Sequence, residues 1–307
     1  MKAVRIEKPE GFQGIEGLVY EDSPDPQPAI GDALVRVCAA SFTPTELTGP
    51  VETDRDGHDR GPRIPAQEGS GVVVGLGYGT AGISVGDEVY GLIDEYRDGW
   101  AAEYVTIEAH SLAPKPTAVD FIEAAAIPQA ALTSWQALFD HGHLESGQTV
   151  VIHGAGGGVG SMAVQLACWA DAHVIGTGRA TDRQRVLDLG ADDFLDVEQD
   201  GWEKAVGQVD LVYDAIGGDV LAQSSAIVKP GGAVVSVMAP PPTDRDDIRT
   251  VHFVRDPSGA QLRDITRLVD EGRLRPQVSA VYPLADAREA FMAKSTQHIP
   301  GKVVLTP

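Results

Sequence analysis

Residues 149–170 read TVVIHGAGGGVGSMAVQLACWA. An apolar run, Val150-Val151-Ile152, ends in a glycine-rich turn, and the turn opens into a segment of helical period. Strand, tight turn and helix in that order suit a dinucleotide pyrophosphate. Backbone N–H groups must approach the phosphate oxygens closely, and a Cβ at the contact point blocks that approach. The N-terminus of the helix adds unpaired N–H groups and partial positive charge. Read strictly, the fingerprint is Ala155-x-Gly157-x-x-Gly160, with alanine where the first of three glycines usually stands. An ordinary glycine-rich loop would show the same letters, but without a strand before it and a helix after it.

Working outward, strand-like and helix-like segments alternate on both sides of this turn. Helical patterns cover residues 120–126 and 131–141. Strands are expected over 173–177, 194–197, 210–214 and 233–238, with 251–254 as a last strand. Helices are expected over 182–189, after Gly201 and over 220–228. Apolar strands separated by helices predict a doubly wound parallel sheet, buried on both faces. The first ~117 residues differ: short β-like runs at 33–39, 71–75, 87–92 and 102–107 are broken by Gly and Pro. That spacing predicts an antiparallel, barrel-like unit. Residues 51–63, VETDRDGHDRGPR, are polar and charged and are expected to form a mobile loop. The tail returns to mixed elements, with helices over 260–271 and 285–293 and strands over 280–282 and 301–305.

Composition excludes several classes. Of 307 residues, 43% are apolar and 22% charged, ordinary for a globular protein with a large core. No apolar run approaches the ~20 residues of a membrane span. The start, MKAVRIEKPEG, lacks an apolar signal core and reads as a first strand, so a cytoplasmic location is expected. The two cysteines, Cys38 and Cys168, read as buried thiols rather than a disulfide or a metal pair. The net charge of −21 argues against nucleic-acid binding. It also repels an anionic cofactor at long range, so local positive charge is expected where phosphates sit.

Further segments carry a family resemblance. They are Met1-Lys2-Ala3-Val4, Gly86-Asp87-Glu88-Val89-Tyr90-Gly91, Ala102-Glu103-Tyr104-Val105 and Ala124-Ala125-Ala126-Ile127-Pro128. Ala131-Leu132-Thr133-Ser134-Trp135-Gln136-Ala137-Leu138, Lys229-Pro230-Gly231-Gly232 and Gly301-Lys302-Val303-Val304-Leu305 complete the set. With the glycine turn, the chain resembles a medium-chain dehydrogenase/reductase over nearly its whole length, in the zinc-free quinone oxidoreductase (zeta-crystallin-type) branch. The resemblance implies a GroES-like, mostly antiparallel β catalytic domain of residues 1–117, completed by 258–307. A Rossmann NADP-binding domain, 118–257, is inserted into it. Dimers are common in such families, so a homodimer is compatible with the resemblance; the sequence does not fix the assembly.

Zinc members of the family place Cys, His and Cys or a carboxylate around the ion. The matching positions here are Thr43, Gln67 and Gln129, and neither Thr nor Gln is a competent zinc ligand. The structural four-cysteine lobe is absent, since the chain has only two cysteines. The expectation is catalysis without a metal, by hydride transfer to a carbon already made electrophilic by conjugation.

NAD-specific sheets carry Asp or Glu at the end of the second strand. Here that position aligns with Gly178, followed by Arg179. Glycine makes room and arginine offers a donor fork to a 2′-phosphate, which predicts NADPH. Arg183 can add charge; Arg185 is read as a solvated helix-surface residue. The cofactor set expected from the motif and the resemblance is Thr133, Ala155, Gly157, Gly158, Val159, Gly160, Gly178, Arg179, Arg183, Ile216, Gly217, Val237 and Met238, with backbone groups of Ser236 and Gly218 beside it. Phe42, Thr43 and Glu46 are expected to border the substrate pocket, in a loop where quinone reductases often carry Asn-Pro-x-Asp and this chain has Thr43-Pro44-Thr45-Glu46. As proton donors, Thr43 and Tyr90 are the first candidates, with Tyr96 and His252 behind them and water as the alternative.

Three functional readings remain at this point. The first is an NADPH-dependent oxidoreductase passing hydride to a quinone or an α,β-unsaturated carbonyl, a small-molecule substrate. The second is an enoyl or ketone reductase of a biosynthetic pathway. The third is a non-catalytic NADPH-binding protein.

Overall fold

Thr149–His153, the strand that leads into the glycine turn, lies inside a six-stranded sheet. The computed structural model describes residues 1–6, 12–47, 58, 61–199, 201–297 and 299–307. Most of the loop expected over 51–63 lies outside the described residues. The chain divides into two units: residues 130–256 with 273–275, and residues 1–129 with 257–272 and 276–307.

In the first of these units the sheet order is Asp193–Asp196, His173–Gly178, Thr149–His153, Val209–Asp214, Val228–Ser236, Arg249–His252. Every neighbouring pair is parallel. The chain runs outward from Thr149–His153 to one edge, then returns to lay Val209–Asp214 on its other side. The strand order therefore reverses between these two strands, and a doubly wound sheet opens its ligand crevice at the carboxyl ends there. Val150, Val151 and Ile152 are fully buried, as a strand covered on both faces requires. Helix Gly158–Trp169 is buried from Gly160 to Ala167, so its apolar residues run all round rather than along one stripe.

Two elements differ from the sequence pattern. The helix expected over 220–228 runs Gly218–Ser224, and Val228 already opens the strand Val228–Ser236. Lys229-Pro230-Gly231-Gly232 lies inside that strand, opposite a register shift between Val209 and Leu211. The helix expected over 131–141 is α-helical over Pro128–Trp135 and widens to a π-helix over Gln136–His141.

The other unit holds a seven-stranded sheet in the order Val278–Pro283, Lys302–Thr306, Asp32–Ser41, Glu68–Leu76, Glu88–Leu92, Leu112–Pro114, with Tyr104–Glu108 also pairing Asp32–Ser41. It is antiparallel except for the pair of C-terminal strands. Lys2–Ile6 and Leu18–Asp22 form a separate antiparallel pair. The core gathers Ile15, Phe42, Leu47, Trp100 and Phe291. The sequence pattern assigns residues 118–129 to the inserted domain. They group with this unit instead, because Ala125 and Ala126 are buried against Ala39 and Val304.

Candidate functional site

The glycine turn is built by hydrogen bonds to the neighbouring strand. Gly154 and Ala155 donate their N–H groups to the Thr177 carbonyl at 3.1 and 3.0 Å. Gly157 N–H donates to the Gly154 carbonyl at 2.9 Å, and the helix starts at Gly158. The N–H groups of Gly158, Val159 and Gly160 thus fall in the first turn, where an α-helix has no internal acceptor for them. Gly160 is required by packing: a Cβ there would run into the Gly154 carbonyl group and the Ala155 Cα. Gly157 is different. Its backbone is ordinary (φ −79°, ψ 177°), it is exposed, and an added methyl would meet only the Gly154 oxygen, at 3.2 Å. Ala155 fits in place of the first glycine because Gly176 faces it; a methyl on Gly176 would lie 3.1 Å from the Ala155 Cβ. Thr133 is buried in Pro128–Trp135, beside Ser134, whose hydroxyl donates to the Ala130 and Val159 carbonyls at 2.8 and 3.0 Å.

At the next strand ends, one buried carboxylate fixes two loops. Asp214 closes Val209–Asp214 and is fully buried. It accepts from Gly217 N–H at 3.0 and 3.1 Å, from Ile216 N–H at 3.2 Å and from the Ser236 hydroxyl at 2.8 Å. Ser236 Oγ in turn accepts Met238 N–H at 3.0 Å. Ile216, Gly217, Val237 and Met238 are thereby held at the carboxyl ends of adjacent strands, with Ile216 39% and Met238 47% exposed. Sequence reasoning missed the part of Asp214. Its signal was a carboxylate ending an apolar strand directly before Ala215-Ile216-Gly217.

Beneath the turn, His153 is buried between the Thr177 hydroxyl (2.8 Å) and the Ser224 hydroxyl (3.1 Å). Burial pushes its pKa down to about 3, so the imidazole is neutral and joins three elements as a hydrogen-bonding spacer.

The three arginines near Gly178 separate. Arg179 caps the strand end, is 56% exposed, and has Glu198 at 3.6 Å, a surface pair of little energy. Arg183 lies over the Phe194 ring at 5.5 Å. Arg185 is not the solvated residue expected. Its Nη2 donates to the Gly156 carbonyl at 2.8 Å and to Asp182 Oδ1 at 2.6 Å.

In the other unit, Glu46 ties Thr43 to the backbone of residues 66–67, and Gln129 joins through the Thr43 hydroxyl. Glu46 Oε1 accepts from Thr43 N–H (2.9 Å) and the Thr43 hydroxyl (3.2 Å). Its Oε2 accepts from Ala66 N–H (3.0 Å) and Gln67 N–H (3.2 Å). Gln129 Nε2 donates to Thr43 Oγ1 at 3.4 Å. Pro128 starts a helix, and the Gln129 N–H of its first turn donates to Glu68 Oε2 at 2.8 Å. Glu68 is fully buried, paired with Lys302 at 2.5 Å, and Lys302 also donates to the Phe42 carbonyl at 3.2 Å.

This geometry corrects three expectations. Tyr90 is fully buried, and its hydroxyl donates to the Leu262 carbonyl at 2.8 Å with Thr266 Oγ1 at 3.0 Å. With its hydroxyl engaged by helix Gly259–Asp270 and its ring sealed from solvent, it braces that helix and is not open to a substrate; burial also raises its pKa. The Phe42 ring is fully buried and stacked on Phe291, centroids 3.6 Å apart, so it is packed in the core rather than open at a surface. Glu46 spends both oxygens on its own loop and on residues 66–67. Thr43 keeps partial exposure, while Tyr96 and His252 are exposed.

Residues 29–117 match the alcohol dehydrogenase GroES-like domain family, and residues 189–305 match a family described as zinc-binding dehydrogenase. A probable zinc-binding oxidoreductase, mitochondrial, of Arthroderma benhamiae is 32% identical over 94% of this chain and 92% of its own length. The NADPH-dependent alkenal/one oxidoreductase, chloroplastic, of Arabidopsis thaliana is 29% identical over 89% of this chain and 72% of its own. Among solved structures, a quinone oxidoreductase from Coxiella burnetii superposes with a TM-score of 0.89 at 29% identity, over 100% of this chain and 99% of that one. The chain belongs to the medium-chain dehydrogenase/reductase family and is quinone oxidoreductase-like within it.

The zinc implied by two of those descriptions does not fit the residues present. Thr43, Gln67 and Gln129 offer a hydroxyl and two carboxamides, whereas zinc takes thiolate, imidazole or carboxylate. The Glu46 oxygens already accept the Thr43 N–H and hydroxyl and the Ala66 and Gln67 N–H groups, and Glu68 is paired with Lys302. Among the described residues, no three His, Cys, Asp or Glu side chains gather as a metal site would need.

Proposed function

We propose that the protein is an NADPH-dependent oxidoreductase that delivers hydride to a quinone or an α,β-unsaturated carbonyl without a metal ion. The observation that carries the cofactor reading is Gly157. Its φ is open to any residue and an added methyl would press only on the Gly154 oxygen, at 3.2 Å, so the fold asks less of Gly157 than of Gly160, and we read the exposed space beside it as room for a ligand. A pyrophosphate over the N–H groups of residues 158–160 uses that space and the positive end of helix Gly158–Trp169.

In this reading Arg179 holds the 2′-phosphate, with Arg183 adding to the local positive charge that a chain of net charge −21 needs there. Thr133 and the backbone of residues 216–218 and 236–238 hold the nicotinamide ribose and carboxamide, kept in place by Asp214. The bound dihydronicotinamide supplies the hydride. Thr43 is the polar side chain offered to the substrate carbonyl. Its hydroxyl is held by Glu46 at only 3.2 Å and can turn to the substrate oxygen as negative charge develops there, while Glu46 keeps the loop in register through the backbone N–H groups it retains. Water protonates the enolate. The protein's contribution is positioning. The name of the Arabidopsis relative supports an alkenal or enone acceptor. In this reading the activity is cytoplasmic. No helix among the described residues is long and apolar enough to cross a membrane.

The test is NADPH oxidation over a panel of quinones, enones, enals and enoyl thioesters, with and without a chelator. Turnover on a quinone or enone, unchanged by the chelator, is expected. Loss of activity to the chelator overturns the metal-free part. NADPH binding with no turnover on any acceptor favours a non-catalytic binding protein.

A further inference from the structure

Gly156 and Gly157 are adjacent, yet each is glycine for a different reason. A methyl on Gly156 would lie 2.7 Å from Arg185 Nη2 and 2.8 Å from Asp182 Cβ. Gly156 is therefore glycine to admit the Asp182–Arg185 pair, whereas Gly157 faces outward. The pair acts on one peptide plane. Arg185 donates to the Gly156 carbonyl at 2.8 Å, while the N–H on the other side of that peptide, from Gly157, donates to Gly154 at 2.9 Å. The last peptide before the helix is thus held at both ends, and the N–H groups of residues 158–160 follow directly from it. Asp182, 5% exposed, holds the guanidinium at 2.6 Å. Arg185 Nε is buried without an acceptor among the described residues, so the side chain sits where Gly156 and Asp182 place it rather than where all its own donors are satisfied.

We propose that Arg185, anchored by Asp182, is a positioning residue for the pyrophosphate turn and sets dinucleotide affinity without regard to the 2′-phosphate. The inference rests on the dinucleotide reading above. It gives the two arginines separate roles, in which Arg179 chooses between NADPH and NADH and Arg185 preforms the donors that both share.

The test is calorimetric titration of NADPH and NADH into the wild type, Arg185→Gln, Arg185→Lys and Asp182→Asn, with melting curves as the control for folding. Arg185→Gln is expected to weaken both dinucleotides by about tenfold, leaving their ratio unchanged. The same variant should raise KM for NADPH and leave kcat at saturation near the wild-type value. Arg185→Lys should recover part of the loss, because one ammonium reaches one acceptor where the guanidinium spans two. Asp182→Asn should lose less, in the same direction, and decides the matter if Arg185→Gln does not fold. Unchanged affinity for both dinucleotides overturns the proposal, as does a loss confined to NADPH, which would put Arg185 on the 2′-phosphate itself. A wild type that binds neither dinucleotide overturns the underlying reading instead.

Discussion

The glycine turn and the Thr43 loop solve similar problems with different parts of the chain. In the turn, the N–H groups of residues 158–160 open a helix, Arg185 and Asp214 hold backbone in place, and the buried His153 ties the Thr177 and Ser224 hydroxyls. In the loop, one side chain organises the backbone: Glu46 accepts the N–H groups of Thr43, Ala66 and Gln67 as well as the Thr43 hydroxyl. A backbone site survives substitution, as Ala155 shows by exchanging a glycine for a methyl that Gly176 makes room for. A side-chain site changes its chemistry with each replacement, and Thr43, Gln67 and Gln129 offer a hydroxyl and two carboxamides where zinc would need thiolate, imidazole or carboxylate.

The comparison is broken most sharply at the buried Asp214 carboxylate. Asp214→Ala leaves Gly217 N–H and the Ser236 hydroxyl without their acceptor. It should cost about 3 kcal/mol in chemical denaturation and lower NADPH affinity, while Asp214→Asn costs less. An NADPH affinity equal to wild type in a folded Asp214→Ala protein would show that the strand-end loops do not depend on this anchor.

The next effect is one of pH. His153 titrates at about 3 in the fold against about 6.5 unfolded. Its neutral form is the one the fold favours, so its contribution is complete above pH 6.5 and is lost as pH falls from there toward 3. The stability difference between wild type and His153→Gln should shrink by about 2 kcal/mol between pH 7 and pH 5. A difference that stays flat contradicts the neutral spacer.

Glu46→Gln replaces one acceptor oxygen by a donor facing backbone N–H groups. A loss of about 1–2 kcal/mol is expected, with KM for the organic acceptor raised and NADPH affinity untouched. Weaker NADPH binding in this variant would erase the division between the two regions. Smallest is Arg179→Ala, which should reduce the NADPH-to-NADH affinity ratio by about tenfold and leave NADH binding unchanged. An unaltered ratio removes Arg179 from cofactor choice.

How much of this was legible in the sequence follows the same division. The parallel sheet and the turn announce themselves, because apolar runs, glycines and helical period are local signals. Asp182, Asp214 and His153 were not read as parts of a site, since a buried polar residue shows its role only through partners far along the chain. Ser224 lies 71 residues from His153. Tyr90 and Phe42 were misread for the same reason: their partners Leu262 and Phe291 come from the C-terminal part of the chain. The boundary at residue 118 looked right because the pattern turns helical there, yet the small residues of Phe121–Ala125 and Ala126 pack on the antiparallel sheet.

The central claim is that the opening kept at Gly157 belongs to a dinucleotide phosphate. Titrating NADPH into Gly157→Val beside the wild type tests it most directly. A melting temperature close to wild type and an affinity reduced more than about tenfold are expected; equal NADPH affinity in the two proteins would contradict the claim.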